Sequence, residues 1–165
     1  MNVVFDANVL ASAVCWNGDP WHCLIRLARR EALAWGTDFT LEETRRTCLR
    51  LIQEKRPKHN ATARLVWYMA NVRTVEAAPL GKARSRDADD DPYLACALAV
   101  QARCLVTFDH DLLDLEKPFG IAMITPAQFL RFICHCRHLD GQATAFERFQ
   151  KQSSLFWSFV IYWRG

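Results

Sequence analysis

The sequence is poor in the features that mark non-globular chains. Six Gly and six Pro in 165 residues are too few for a collagen-like or low-complexity chain. No apolar run reaches the roughly 18 residues that indicate a membrane span. The opening MNVVFDANVL meets an acid at Asp6 before any long apolar stretch, and it lacks the basic start and apolar core of a signal peptide. A cytoplasmic protein is the expectation. A zinc-finger spacing is missing too. The seven cysteines, at positions 15, 23, 48, 96, 104, 134 and 136, are odd in number, and most sit in apolar runs such as LACALAV. The tight cluster Cys134-His135-Cys136, with His138 nearby, has a C-x-C spacing that is unusual for zinc. Reduced thiols packed as small hydrophobes are the reading for these residues.

What is present suits one globular domain. Apolar residues make up 51% and charged residues 24%, which excludes a disordered chain. The net charge of +3 conceals an asymmetry. Residues 26–73 hold eleven Lys/Arg against five Asp/Glu, whereas residues 84–119 hold four against eight. Solvated helix faces account for much of the basic excess. The acidic cluster needs compensation, because packed like charges oppose one another.

Short apolar runs alternate with segments of helical periodicity. Asn2–Phe5 (NVVF), Ala32–Gly36, Val72–Val75, Cys104–Phe108 (CLVTF) and Ile121–Ile124 (IAMI) read as strands. Helices are expected from Val9, from Pro20 to Glu31, over Ala61–Asn71, from Pro92 and from Pro126, with Pro at the first helical position in three of them. Thr40 and Glu43 have capping-box spacing and predict a further helix start, with Pro57 ending that helix. Thr125 and Gln128 form a second such signal. Strands alternating with long helices indicate an α/β fold with a mainly parallel sheet. The expected organisation is a domain over residues 1–133 and a helical or irregular extension over 134–165, whose last 25 residues are aromatic-rich.

In parallel α/β sheets, ligands bind at the carboxyl ends of strands. Acids follow two of the strand runs there, Asp6 after NVVF and Asp109 after CLVTF, and Asp89-Asp90-Asp91 opens the helix between them. Each acid alone also reads as a cap or turn residue; the conjunction points to a site. Carboxylates converging there would repel one another, and a divalent cation is the natural compensation. All-oxygen ligation suits Mg²⁺ or Mn²⁺. Such an ion polarises phosphoryl oxygens and orients water. No obvious His, Cys or Lys nucleophile stands beside these acids, so metal-activated water is the economical chemistry.

At this point the sequence resembles the PIN domain ribonucleases, most closely the VapC-like toxins of bacterial toxin–antitoxin systems. Val3-Val4-Phe5-Asp6-Ala7-Asn8-Val9-Leu10 is similar to the family's strand–Asp-x-Asn opening. Asp87-Ala88-Asp89-Asp90-Asp91-Pro92-Tyr93-Leu94 resembles its acidic run before a helix, and Leu105-Val106-Thr107-Phe108-Asp109-His110-Asp111-Leu112-Leu113 its strand–Thr-x-Asp segment. Ile124-Thr125-Pro126-Ala127-Gln128-Phe129-Leu130 resembles its closing strand and helix. Glu43 best fits its helical Glu, with Glu42 in competition.

The resemblance implies a Rossmann-like three-layer sandwich with a central sheet flanked by helices and an acidic pocket for one or two Mg²⁺ or Mn²⁺ ions. Carried over, Asp6, Glu43, Asp91 and Asp109 form the catalytic set. Asp6, Asp90 or Asp91, and Asp109 ligate metal, and Asn8 and Thr107 support them by hydrogen bonding. The implied activity is metal-dependent hydrolysis of RNA phosphodiesters, with Arg45, Arg46 and Arg50 as candidate phosphate contacts. A cognate antitoxin and a homodimer or higher oligomer are the implied partners, with no membrane. Phe108 departs from the family pattern, where Gly is common. Two other readings remain open: a non-catalytic nucleic-acid-binding or interaction domain of the same fold, and a metal-dependent phosphatase of another α/β family. The usual aspartate-nucleophile phosphatases carry Asp-x-Asp after the first strand, and here the second position is Asn8.

Overall fold

In the computed structural model the described residues are 1–81, 90–115 and 117–139, with side chains through Cys134. Along the chain run β1 (Asn2–Phe5), α1 (Ala7–Cys15), α2 (Asp19–Ala28), β2 (Leu33–Gly36), α3 (Asp38–Lys55), α4 (Ala61–Asn71) and β3 (Arg73–Thr74). There follow α5 (Asp91–Ala99), β4 (Cys104–Val106), α6 (His110–Leu113), a 3-10 turn at Pro118–Gly120, β5 (Ala122–Ile124) and α7 (Pro126–Leu139). The five strands form one sheet in the order β3-β2-β1-β4-β5, and every neighbouring pair is parallel.

Successive strand side chains point to opposite faces of a sheet, and here both faces are buried. Val3, Phe5, Cys104 and Val106 enter one core with Leu10, Leu24, Leu65 and Phe129. Val4 and Leu105 enter a second core with Leu94, Leu112 and Met123. Helices therefore cover the sheet on both sides in three layers. This is why β1 and β4 read as continuous apolar runs rather than alternating ones. Cys15, Cys23, Cys48, Cys96 and Cys104 are buried thiols, whereas the Cys134 thiol is exposed. Cys136 and His138 fall where side chains are not described.

The observed elements differ from the sequence expectation at several ends. The strand expected over 104–108 stops at Val106, which leaves Thr107 and Phe108 in the turn beyond it. The helix α3 begins three residues earlier than Thr40 suggests. Thr37, directly after β2, is its N-cap, and Thr37 and Thr40 form the capping box. Glu43 is thereby released from capping and sits in the second turn. The cap expected at Thr125 and Gln128 is present, with reciprocal bonds of 2.7 and 3.3 Å.

One basic residue lies inside. Arg64 on α4 is buried and donates to the carbonyls of Ala13 and Trp16, each at 3.1 Å, and to Asn17 Oδ1 at 2.6 Å. Its guanidinium also stacks 3.8 Å from the centre of the Trp21 ring. With His59 Nε2 on the Val14 carbonyl at 2.8 Å, it satisfies backbone oxygens at the end of α1 that have no partner inside that helix. Burial pulls the Arg64 guanidinium down to about 10. Residues 140–165, most of the expected extension, lie outside the described residues, and α7 runs across the 133/134 boundary. Among the described residues no helix is long and apolar enough to cross a membrane.

Candidate acidic site at the carboxyl edge of the sheet

The chain steps outward from β1 to β2 and β3, then returns to place β4 on the other side of β1. Such a reversal opens a crevice at the carboxyl ends of the two strands. The register pairs Phe5 with Val106, and the next residues on either side are Asp6 and Thr107. The Asp6 N–H donates to the Val106 carbonyl at 3.0 Å. The Thr107 hydroxyl, fully buried, donates to Asp6 Oδ2 at 2.9 Å and accepts the Asp109 N–H at 2.9 Å. One hydroxyl thus ties together the two acids that follow β1 and β4.

Both acids also begin helices. Asp6 Oδ1 accepts the Asn8 N–H at 3.2 Å and caps α1, while Asp109 Oδ1 accepts the Asp111 N–H at 2.8 Å and caps α6. The positive end of the α1 dipole faces the Asp6 charge. Even so, burial pushes the Asp6 carboxyl above its ordinary value. The Thr107 hydroxyl and the Asn8 N–H pull it back, and the nearby Asp109 charge raises it further.

Glu43 and Glu42, adjacent on α3, point to different surroundings. Glu42 accepts from Arg45 Nε and Nη2 and from Arg46 Nε, each at 2.8 Å, on the exposed side of the helix. Those bonds, Arg45 first, hold its carboxyl down at about 2. Glu43 turns inward, and its Oε2 accepts the Tyr93 hydroxyl at 2.8 Å. Tyr93, on α5, is buried among the residues of the second core. Burial first, then the Glu43 bond and charge, then the Asp6 charge push the phenol well above its ordinary value, while the Ala7 N–H pulls it back, so the hydroxyl keeps the proton it donates to Glu43. Sequence reasoning passed over Tyr93 as part of the apolar run YLACALAV. The available signal was a tyrosine beside an acidic run, since a buried tyrosine hydroxyl normally finds a partner.

Asp90 stands at the N-cap position of α5 and Asp91 is its first residue, followed by Pro92. In this topology the start of α5 lies at the same edge as Asp6, because a helix between parallel strands runs back from their carboxyl ends. Asp89 lies outside the described residues. Asn8 reaches Asp6 through its backbone N–H, and the residue is exposed. Arg45 and Arg46 are engaged by Glu42, and Arg50 is exposed on the same helix.

The expected ligand set does not close. Among the described residues no three His, Cys, Asp or Glu side chains stand close enough together to hold a metal ion. Three of the acids are held by different partners: Asp6 by the Asn8 N–H and Thr107, Asp109 by the Asp111 N–H, and Glu43 by Tyr93. Mutual repulsion favours that separation. The donor chemistry still suits a hard cation. Mg²⁺ keeps several waters and is commonly held by one or two carboxylates, and Asp6 and Asp109 supply such a pair. Burial pushes the Cys23 and Cys48 thiols up to about 12.

Two-thirds of the chain, residues 2–111, match a family model described as a PIN domain. No curated protein and no solved structure matches the chain.

Proposed function

The chain belongs to the PIN domain family, whose fold is of nuclease type, and from that premise we propose that it is a divalent-metal-dependent endoribonuclease hydrolysing RNA phosphodiester bonds. The observation that carries this reading is the Asp6–Thr107–Asp109 linkage. One buried hydroxyl holds the Asp6 carboxylate and the Asp109 backbone N–H side by side at the carboxyl ends of neighbouring strands, an acidic edge that suits a hard cation.

When bound, Mg²⁺ or Mn²⁺ supplies charge neutralisation at the phosphate and a more acidic water. Asp6 and Asp109 would hold it, with Asp91 or Asp90 from the start of α5. Thr107 fixes the Asp6 carboxylate, and Asp109 is fixed through its own N–H on the same hydroxyl. Glu43, off to the α3 side, orients the attacking water or holds a second ion. Arg45, Arg46 and Arg50 contact the RNA backbone, which positions the strand without reading its sequence. RNA as substrate fits a cytoplasmic location.

The finer reading is the toxin of a type II toxin–antitoxin pair, acting as a homodimer or higher oligomer until an antitoxin binds. It rests on the VapC-like motif order alone. A small reading frame directly upstream, whose product suppresses cleavage on co-expression, would support it.

The test is incubation of the purified protein with labelled RNA in Mg²⁺, Mn²⁺ or EDTA, beside Asp6→Ala and Asp6→Asn. Cleavage that needs the metal and is lost in both variants supports the reading; an unchanged metal-dependent rate in either refutes it. A second reading, a non-catalytic nucleic-acid-binding domain, is favoured by the absence of a closed three-acid group among the described residues. It requires RNA binding without turnover in any metal.

A further inference from the structure

We propose that Tyr93 is a positioning residue for Glu43, its phenol aiming the carboxylate at the acidic edge without cancelling its charge. The two are 50 positions apart, on α5 and α3, and meet through the 2.8 Å bond from the Tyr93 hydroxyl to Glu43 Oε2. Tyr93 is 2% exposed, and its ring packs in the core that holds Val4, Ala7 and Leu94. A ring so held has little freedom, so the hydroxyl is a fixed point from which Glu43 takes its direction.

The contrast with Glu42 gives the arrangement its meaning. Glu42 is clamped by two arginines, which neutralise it on the solvent side. Glu43 receives a neutral donor, which fixes one of its oxygens without bringing an opposing charge. Pro92 sets the start of α5 one residue before Tyr93. The first turn of α5 therefore carries both Asp91 and the tyrosine that donates to Glu43. The contact joins two helices far apart in the chain.

The inference rests on the nuclease reading, and one set of measurements separates the two. Tyr93→Phe keeps the ring and removes the hydroxyl. Its melting temperature, its kcat and KM on a labelled RNA, and its Mn²⁺ affinity by calorimetry are compared with wild type, Glu43→Gln and the double variant. Outer partners of metal-site ligands usually contribute about 10–100-fold. The expected result for Tyr93→Phe is a loss of about tenfold or more in kcat and in Mn²⁺ affinity, with KM for RNA unchanged. Added to Glu43→Gln, it should cause no further loss in either quantity. Wild-type kcat and Mn²⁺ affinity in Tyr93→Phe overturn the inference. So does an equal loss in the Glu43→Gln background, or a Tyr93→Phe protein that does not fold, since either shows a purely structural tyrosine. A wild-type protein that neither binds Mn²⁺ nor cleaves RNA overturns the nuclease reading, and this inference with it.

Discussion

Thr107 and Asp6 are 101 positions apart in the chain and are joined by one hydrogen bond of 2.9 Å, from a fully buried hydroxyl to a nearly buried carboxylate. Thr107→Val keeps the shape and removes the donor. A buried charged acceptor left short of a partner costs about 1–3 kcal/mol, and the Asp109 N–H loses its acceptor as well. Denaturant unfolding should show that loss, with cleavage reduced and with Thr107→Ser restoring most of both.

Asp6 itself trades stability for charge. Its folded pKa is raised, chiefly by burial, so the folded protein holds the Asp6 proton more tightly than the unfolded chain does. The contribution is therefore most favourable at pH below the ordinary carboxylate value of 3.8 and declines as pH rises through the raised folded value. Asp6→Asn keeps a capping oxygen and removes the charge. Its melting temperature should exceed that of wild type at neutral pH, by the few degrees that ~1 kcal/mol gives a domain of this size, and the gap should close as the pH is taken below the carboxylate range. Cleavage should be lost throughout. A melting temperature below that of wild type at neutral pH would contradict the burial argument.

Glu42 and Glu43 are expected to behave oppositely. Glu42→Gln removes the carboxylate that engages Arg45 and Arg46. The thermal midpoint should stay in place, because exposed pairs contribute little. RNA should bind more tightly, with a salt dependence steeper by about one phosphate contact. Glu43→Gln should leave binding near wild type and slow turnover markedly. Fluorescence anisotropy at several salt concentrations, alongside cleavage rates, distinguishes the two.

Gly36 ends β2 where α3 must start at once. A Cβ there would stand 2.7 Å from Leu41 Cδ2 and 2.8 Å from Leu41 Cγ. Gly36→Ala should cost about 1–3 kcal/mol through overpacking. It should also lower the cleavage rate, because the displaced first turns of α3 carry Glu43. Unchanged stability would mean that Leu41 can move aside without penalty.

Arg64 serves the far end of α1. Arg64→Met keeps much of the volume and loses three hydrogen bonds and the stacking on Trp21. A loss of about 3 kcal/mol is expected, seen as a midpoint lower by roughly 10 °C. Lys should rescue poorly, since it lacks the planar fork that reaches two carbonyls and an amide together.

The strands and most helices were legible because their signals are local. NVVF and CLVTF are too apolar for a surface, and proline marks three helix starts. The acids after β1 and β4 could be placed at one edge because parallel topology leaves them nowhere else. Choices between adjacent residues were not legible. Glu42 and Glu43 differ by about 100° around α3, and only the packed helix decides which meets arginines and which meets Tyr93. The start of α3 was misplaced because Thr37 and Thr40 both carry capping chemistry, and the two-element junction at Gly36 selects the earlier one. Arg64 counted only toward a basic excess, since nothing in its neighbourhood marks it as the cap of a helix 50 residues earlier. The closing of the acids on a metal, expected from their number, is not found among the described residues, where Asp6, Asp109 and Glu43 each hold a different hydrogen-bond partner.

The placement of β1 beside β4 also bears on when this protein becomes whole. Asp6 leaves the ribosome 101 residues ahead of Thr107, an interval on the order of ten seconds at ordinary synthesis rates. During it the nascent chain holds β1, β2 and β3 but lacks the strand that fastens the first acid. The acidic edge on which the proposed activity depends is therefore assembled only after β4 has been made.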